Sequence, residues 1–117
     1  MGVASLGVWQ VIPNRTILAS GSYTSEAVDM ATATALALHV TAIAGTGPSV
    51  AFTYSLSNTK DGTYVTPSSP VTIGAAVTAV DVLDFAPELA RFIKIIVTNN
   101  NAGQPVTLTA SLAIQEL

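Results

Sequence analysis

Val106-Thr107-Leu108-Thr109-Ala110-Ser111-Leu112-Ala113-Ile114 alternates without a fault: Val106, Leu108, Ala110, Leu112 and Ile114 share one parity, Thr107, Thr109, Ser111 and Ala113 the other. Successive side chains of a β-strand point to opposite faces, so this period of two predicts a strand with one face in a core. The outward row is unusual. It holds Thr, Ser and Ala and meets no charge until Glu116.

Working back along the chain, Asn99-Asn100-Asn101-Ala102-Gly103 has the residues of a turn, and Ala90–Val97 is β-branched enough for a strand with Ile93, Ile95 and Val97 inward. Asp81–Leu89 is the most irregular stretch; Asp84 can cap a single helical turn with Pro87 inside it. Val71–Val77 alternates as a modest strand weakened by Gly74, after a break at Pro67-Ser68-Ser69-Pro70. Asp61-Gly62 suits a type I′ hairpin turn, with Tyr64 and Val65 opening the return strand.

Val50, Phe52, Tyr54 and Leu56 alternate against Ala51, Thr53, Ser55 and Ser57, and Leu36, Leu38, Val40 and Ala42 form the inward row of a strand over Ala35–Ile43. Gly45-Thr46-Gly47-Pro48 joins these two tightly. The first third is less regular: Val8–Ile12 and Arg15–Ala19 flank Pro13-Asn14, and Tyr23–Val28 forms another short strand. The sum is an all-β fold, an antiparallel β-sandwich or jelly roll of about eight short strands. Residues 1–20 form an N-terminal arm or edge strand, and residues 21–117 a single sandwich domain.

The chain has 117 residues, half of them hydrophobic and only 9% charged, against roughly 25% in an ordinary soluble domain. Its net charge of −3 leaves no basic surface for phosphates, so direct nucleic-acid binding is not expected. No run approaches the ~18 apolar residues of a membrane helix, and the first eighteen residues lack the basic leader of an export signal.

A solitary sandwich carries charged side chains on its outer faces, because they stay hydrated and repel foreign sheet edges. Here those positions are Thr, Ser and Ala, which lose far less than an ion on leaving water. The reading is therefore extensive protein–protein contact. The expected interface comprises Val3, Leu6, Val8, Trp9 and Ile12 of the arm, His39, and the row Thr107, Thr109 and Ser111. The alternative for the arm is an edge strand packed on its own core, with Trp9 inside.

Chemistry is thinly provided. There is no cysteine and one histidine, so thiolate zinc sites and paired-imidazole mechanisms are excluded. Asp81, Asp84 and Glu88 lack the dense acidic loop of a calcium site. No Ser sits in a Gly-x-Ser-x-Gly elbow, and Gly45-Thr46-Gly47 precedes a strand where a phosphate loop opens a helix. Tyr23, Tyr54, Tyr64 and Trp9 are the aromatics available to a sugar platform, although Tyr54 has inward parity. Neither an enzyme nor a cofactor is expected.

Thr46-Gly47-Pro48, the following alternating strand, Ser57 through Asp61-Gly62-Thr63-Tyr64, and Phe85-Ala86-Pro87 through Ala90-Arg91-Phe92-Ile93-Lys94-Ile95 together carry a likeness. From Leu36 to Glu116 the chain resembles the small β-sandwich virion proteins of tailed bacteriophages, most of all capsid decoration, or cement, proteins. The resemblance implies a place on the capsid surface, a major capsid protein or other virion subunits as partners, and a homo-oligomer, with a trimer favoured. A tail, neck or head-fibre component is the second reading. A carbohydrate-binding adhesin module is the reading from another class.

Overall fold

The computed structural model describes residues 5–68 and 72–116. Nine strands form two antiparallel sheets: β1 (Ser5–Ile17), β2 (Ser22–Thr24), β3 (Val28–Asp29), β4 (Ala33–Gly45), β5 (Val50–Ser57), β6 (Thr72–Val77), β7 (Asp81–Phe85), β8 (Phe92–Asn99) and β9 (Val106–Glu116). One sheet runs β1-β9-β4-β7; the other runs β2-β8-β5-β6, with β3 also on β8. The pairs β1:β9, β2/β3:β8, β4:β7 and β5:β6 are nested, as in one long hairpin rolled over on itself. This is the jelly-roll arrangement of the sandwich.

β9 lies between β1 and β4, and its inward residues Leu108, Ala110, Leu112 and Ile114 are fully buried. Facing them across the core are Val50, Phe52, Ile93, Ile95 and Val97 of the second sheet, also fully buried. The alternation expected of β5, β8 and β9 is present, except that Ser55 and Ala113, on the outward parity, are buried as well.

Other expectations need correction. A register shift between Val40 and Ala42 reverses the parity of β4, so Ala42 is exposed and Ile43 packs on the core in its place. Pro13-Asn14 does not divide two strands: β1 passes through it, with register shifts between Gln10 and Ile12 and between Ile12 and Arg15, and Asn14 at φ 46°. Tyr23–Val28 is interrupted because Ser25 folds its side chain into the ladder. Its Oγ accepts the Ile95 N–H at 2.9 Å and donates to the Glu26 carbonyl at 2.9 Å.

No helical turn follows Asp84, which lies within β7, paired opposite Ala37. Neither Asp61 nor Gly62 has the positive φ of a type I′ turn, and the return strand shrinks to a single bridge between Leu56 and Val65. The Lys60–Tyr64 segment instead folds back over β8, with Lys94 Nζ 4.3 Å from the Tyr64 ring centre.

One side of the sandwich is shut where β6 meets β7. A Cβ on Gly74 would lie 2.8 Å from Val77 Cγ2 and 3.2 Å from Leu83 Cδ1, so the glycine permits the close approach. At one end, Asn99 is 2% exposed and ties three segments together. Its amide donates to the carbonyls of Ile17, Leu18 and Gln104, and its Oδ1 accepts the Asn101 N–H. Asn99→Ala removes all of these side-chain bonds from a buried site, with the Leu18 carbonyl keeping only the Gly21 N–H, and is expected to cost about 2–3 kcal/mol in urea unfolding.

Buried Tyr54 donates its hydroxyl to Glu88 Oε1 at 2.6 Å and packs against Phe85, with ring centres 5.7 Å apart. Burial first, then the Glu88 carboxylate, pushes the phenol from its ordinary 10.0 up to about 12. The folded chain thus holds this proton more tightly than the unfolded chain does. The resulting stability is complete below pH 10 and is lost as pH rises through 12. Tyr54→Phe should flatten the fall of the urea midpoint between pH 10 and 12.

Candidate functional site

The outer face of the β1-β9-β4-β7 sheet can be reconstructed from its register. Crossing it from edge to edge, one row reads Val8, Ala113, Ala37, Asp84 and the next reads Gln10, Ser111, His39, Val82; Leu6 stands beside Gln115. Leu6, Val8 and Val82 rise on the edge strands, while the central strands carry the small Ala35, Ala37, Ser111 and Ala113 together with His39 and Gln115. The edge strands are three spacings apart, about 14 Å. The result is a trough of about 420 Å³ floored by Ala35, Ala37, Ser111 and Ala113 and rimmed by Leu6, Val8 and Val82.

The trough is poor in ions. His39 and Asp84 are the only titratable residues among those lining it. Leu6 is 70% exposed, Val8 63% and Val82 55%, so three large apolar side chains stand in water around one concavity. Solvent-exposed apolar area gathered in this way marks a contact surface. Beyond the trough the same face continues through Thr107 and Thr109. Thr16 and Thr107 share a hydroxyl hydrogen bond of 2.8 Å, and Thr41 Oγ1 donates to the Thr109 carbonyl at 3.3 Å.

Of the residues expected at an interface, the structure brings Leu6, Val8, His39 and Ser111 together in the trough and places Thr107 and Thr109 beside it. Ile12 is a correction. It is fully buried, because the irregularity after Gln10 turns both Val11 and Ile12 inward. Trp9 lies on the opposite face from Leu6 and Val8, 39% exposed, its ring occupying the space that a side chain at Gly7 would need. Val3 lies outside the described residues. Residue order does not reveal Val82, because Asp81–Leu89 looks irregular, nor Ala35, Ala37 and Ala113, because small residues carry no chemistry of their own, nor Gln115, whose place beside Leu6 follows only from the β1:β9 pairing. A two-residue alternation of Val82 and Asp84 against Leu83 and Phe85 was the available signal.

A second concavity, of about 340 Å³, opens between β1 and the β2–β3 edge and is lined by Trp9, Gln10, Arg15, Tyr23 and Glu26, among others. The Arg15 guanidinium sits 5.2 Å from the Tyr23 ring centre, which holds the arm against the second sheet. Among the described residues, no group of three His, Cys, Asp or Glu is placed to hold a metal ion.

No family model and no curated protein matches the chain. Solved structures share its fold, among them the following two. The structure of infectious bursal disease virus Gx strain aligns over 98% of this chain at a TM-score of 0.58 and 14% identity. The SPBc2 prophage-derived protein YomS aligns over 99% at 0.53 and 12%. The chain spans about a third of the viral chain's length, 33%, and 97% of YomS. The jelly-roll architecture is thus common to all three.

The exposed rim and the buried bulge should respond differently to truncation. Ile12→Ala removes a side chain with no exposure and is expected to cost about 3 kcal/mol. Leu6→Ala and Val8→Ala should each stay within about 0.5 kcal/mol of the parent chain. Urea midpoints of the three variants at one pH make the comparison.

Proposed function

We propose that the chain is a virion structural protein of a tailed bacteriophage, and within the virion a capsid decoration protein. In this reading it binds across joints between major capsid subunits through the outer face of the β1-β9-β4-β7 sheet. The observation that carries the reading is the ion-poor trough with its apolar rim. Three strands about 36 Å long together with the five-residue β7 cover about 600 Å², of the order of the roughly 800 Å² per partner of a specific interface.

Many of the side chains in this face cost little to dehydrate. Ala35, Ala37 and Ala113 lose nothing polar. Thr16, Thr41 and Thr107 already have hydrogen-bond partners within the sheet. Contact with several subunits at once would oppose their separation by mass action and shared attachment, with no reaction on a substrate and hence no enzyme activity. The jelly roll and the viral and prophage origin of the two similar structures support the virion setting. Tail, neck and head fibre remain the alternative addresses for the same surface.

A carbohydrate-binding role has its own place, the cleft of Trp9, Tyr23, Arg15 and Glu26. Against it, Tyr54 is buried, Tyr64 lies under Lys94, and Tyr23 is capped by Arg15, so the aromatics do not converge on one open platform.

The test is to mix purified protein with expanded, undecorated capsids of the cognate phage and image the occupied positions. Saturable density at subunit joints is expected. Ala37→Glu puts a carboxylate on the trough floor and should weaken capsid binding about 30-fold, roughly 2 kcal/mol. Binding confined to tails or necks would redirect the reading. Absence of particle binding with quenching of the single Trp9 by a glycan would replace it.

A further inference from the structure

The free edges of the two sheets are not equal. β7 is five residues long with Asp81 and Asp84, and its Val82 N–H is engaged by Asp81 Oδ1 at 2.8 Å. β6 is six residues long and out of register with β5 at two points. The β2–β3 edge is cut into pieces of three and two residues. On β1, the second half has register shifts, Pro13, Asn14 at φ 46° and Arg15. Short strands, charges, prolines and bulges are the means by which edges avoid foreign strands.

Ser5–Gln10 has none of them. It pairs with Glu116–Ser111 without a shift, contains neither charge nor proline, and carries Leu6 and Val8 with most of their surface in water. Among the described residues, no strand lies on its other side in the sheet.

We propose that two copies of this chain pair antiparallel through Ser5–Gln10 about a twofold axis, joining two four-stranded sheets into one of eight strands. A strand that pairs antiparallel with itself makes an isologous contact, so one open segment serves both partners. A head-to-tail ring would instead set β1 against β7, whose edge is short, acidic and partly satisfied by its own side chain. Residues opposite each other in an antiparallel pair face the same way. The pairing is therefore centred on a residue, Gly7 or Val8, which keeps Leu6 and Val8 on the trough side in both copies.

At the seam, Leu6 and Val8 of each copy then form one apolar patch, and the two troughs run together into a single surface. This contact is twofold, unlike the threefold association that the family resemblance implies. It does not rest on the virion reading: it concerns the isolated chain, and a single copy that decorates capsids would refute the pairing alone.

Sedimentation velocity of the chain at hundreds of micromolar is expected to give twice the 11.9 kDa chain mass. Val8→Lys, and independently Leu6→Lys, puts an ammonium on the edge at an exposed position and should raise the dissociation constant at least 100-fold while leaving the far-UV spectrum unchanged. Val82→Lys, on the opposite rim, should leave the dimer intact. Hydrogen exchange should protect amides within Ser5–Gln10 in the parent chain and release them in the Val8 variant. A mass of one or three copies for the parent, a dimer that survives both edge lysines, or equal loss with Val82→Lys overturns the proposal.

Discussion

The confinement of β9 is the constraint on which the rest of the molecule depends. A strand with partners on both sides satisfies its backbone groups entirely within the sheet, and β9 does so against β1 and β4 along nearly its whole length. Its inward Leu and Ile side chains then have one place to go, the space between the sheets. A slip of one residue would expose that whole row. Because β9 closes the outermost pair of a nested set, its register also sets where β1 enters and where β4 must lie.

The same confinement shapes the outer face. On a central strand, an outward residue is flanked on both sides, so tall side chains there would fill the surface, whereas small ones leave it hollow. Ala113 and Ser111 of β9 and Ala37 of β4 are small; Leu6, Val8 and Val82 at the edges are not. Concavity thus follows from the order of residue sizes across the sheet and needs no loop to build it. It also needs no charge, and away from His39 and Asp84 the alanines of the lining lose nothing polar on dehydration.

What could be read from residue order and what could not divide along one line. Strands β5, β8 and β9 are legible because an uninterrupted period of two is a local property, and burial follows it at every inward position. Two of the errors fall where the period is broken: at the shift in β4 that exchanges Ala42 for Ile43, and at the shift in β1 that buries Ile12 beside Val11. A bulge adds one residue to one strand with no residue type of its own to announce it. The nested pairing of distant strands is likewise invisible locally, so a third of the trough's lining is legible through Leu6, Val8, His39 and Ser111, while Val82 and the alanines from β4 are not.

The edges carry the argument furthest from the core. A chain with few charges has few with which to guard its strands, and those it has are spent unevenly: Asp81 and Asp84 on β7, Arg15 on the far half of β1. Bulges and Pro13 do the same work where charges are missing. The unguarded six residues therefore stand out against a background in which the other edges are short, interrupted or defended. They adjoin the rim of the trough through Leu6 and Val8, so any strand that pairs there also extends the apolar face. Edge pairing and face docking are in this way coupled through two side chains, and a copy joined along β1 presents its partners with a surface that a single copy does not have.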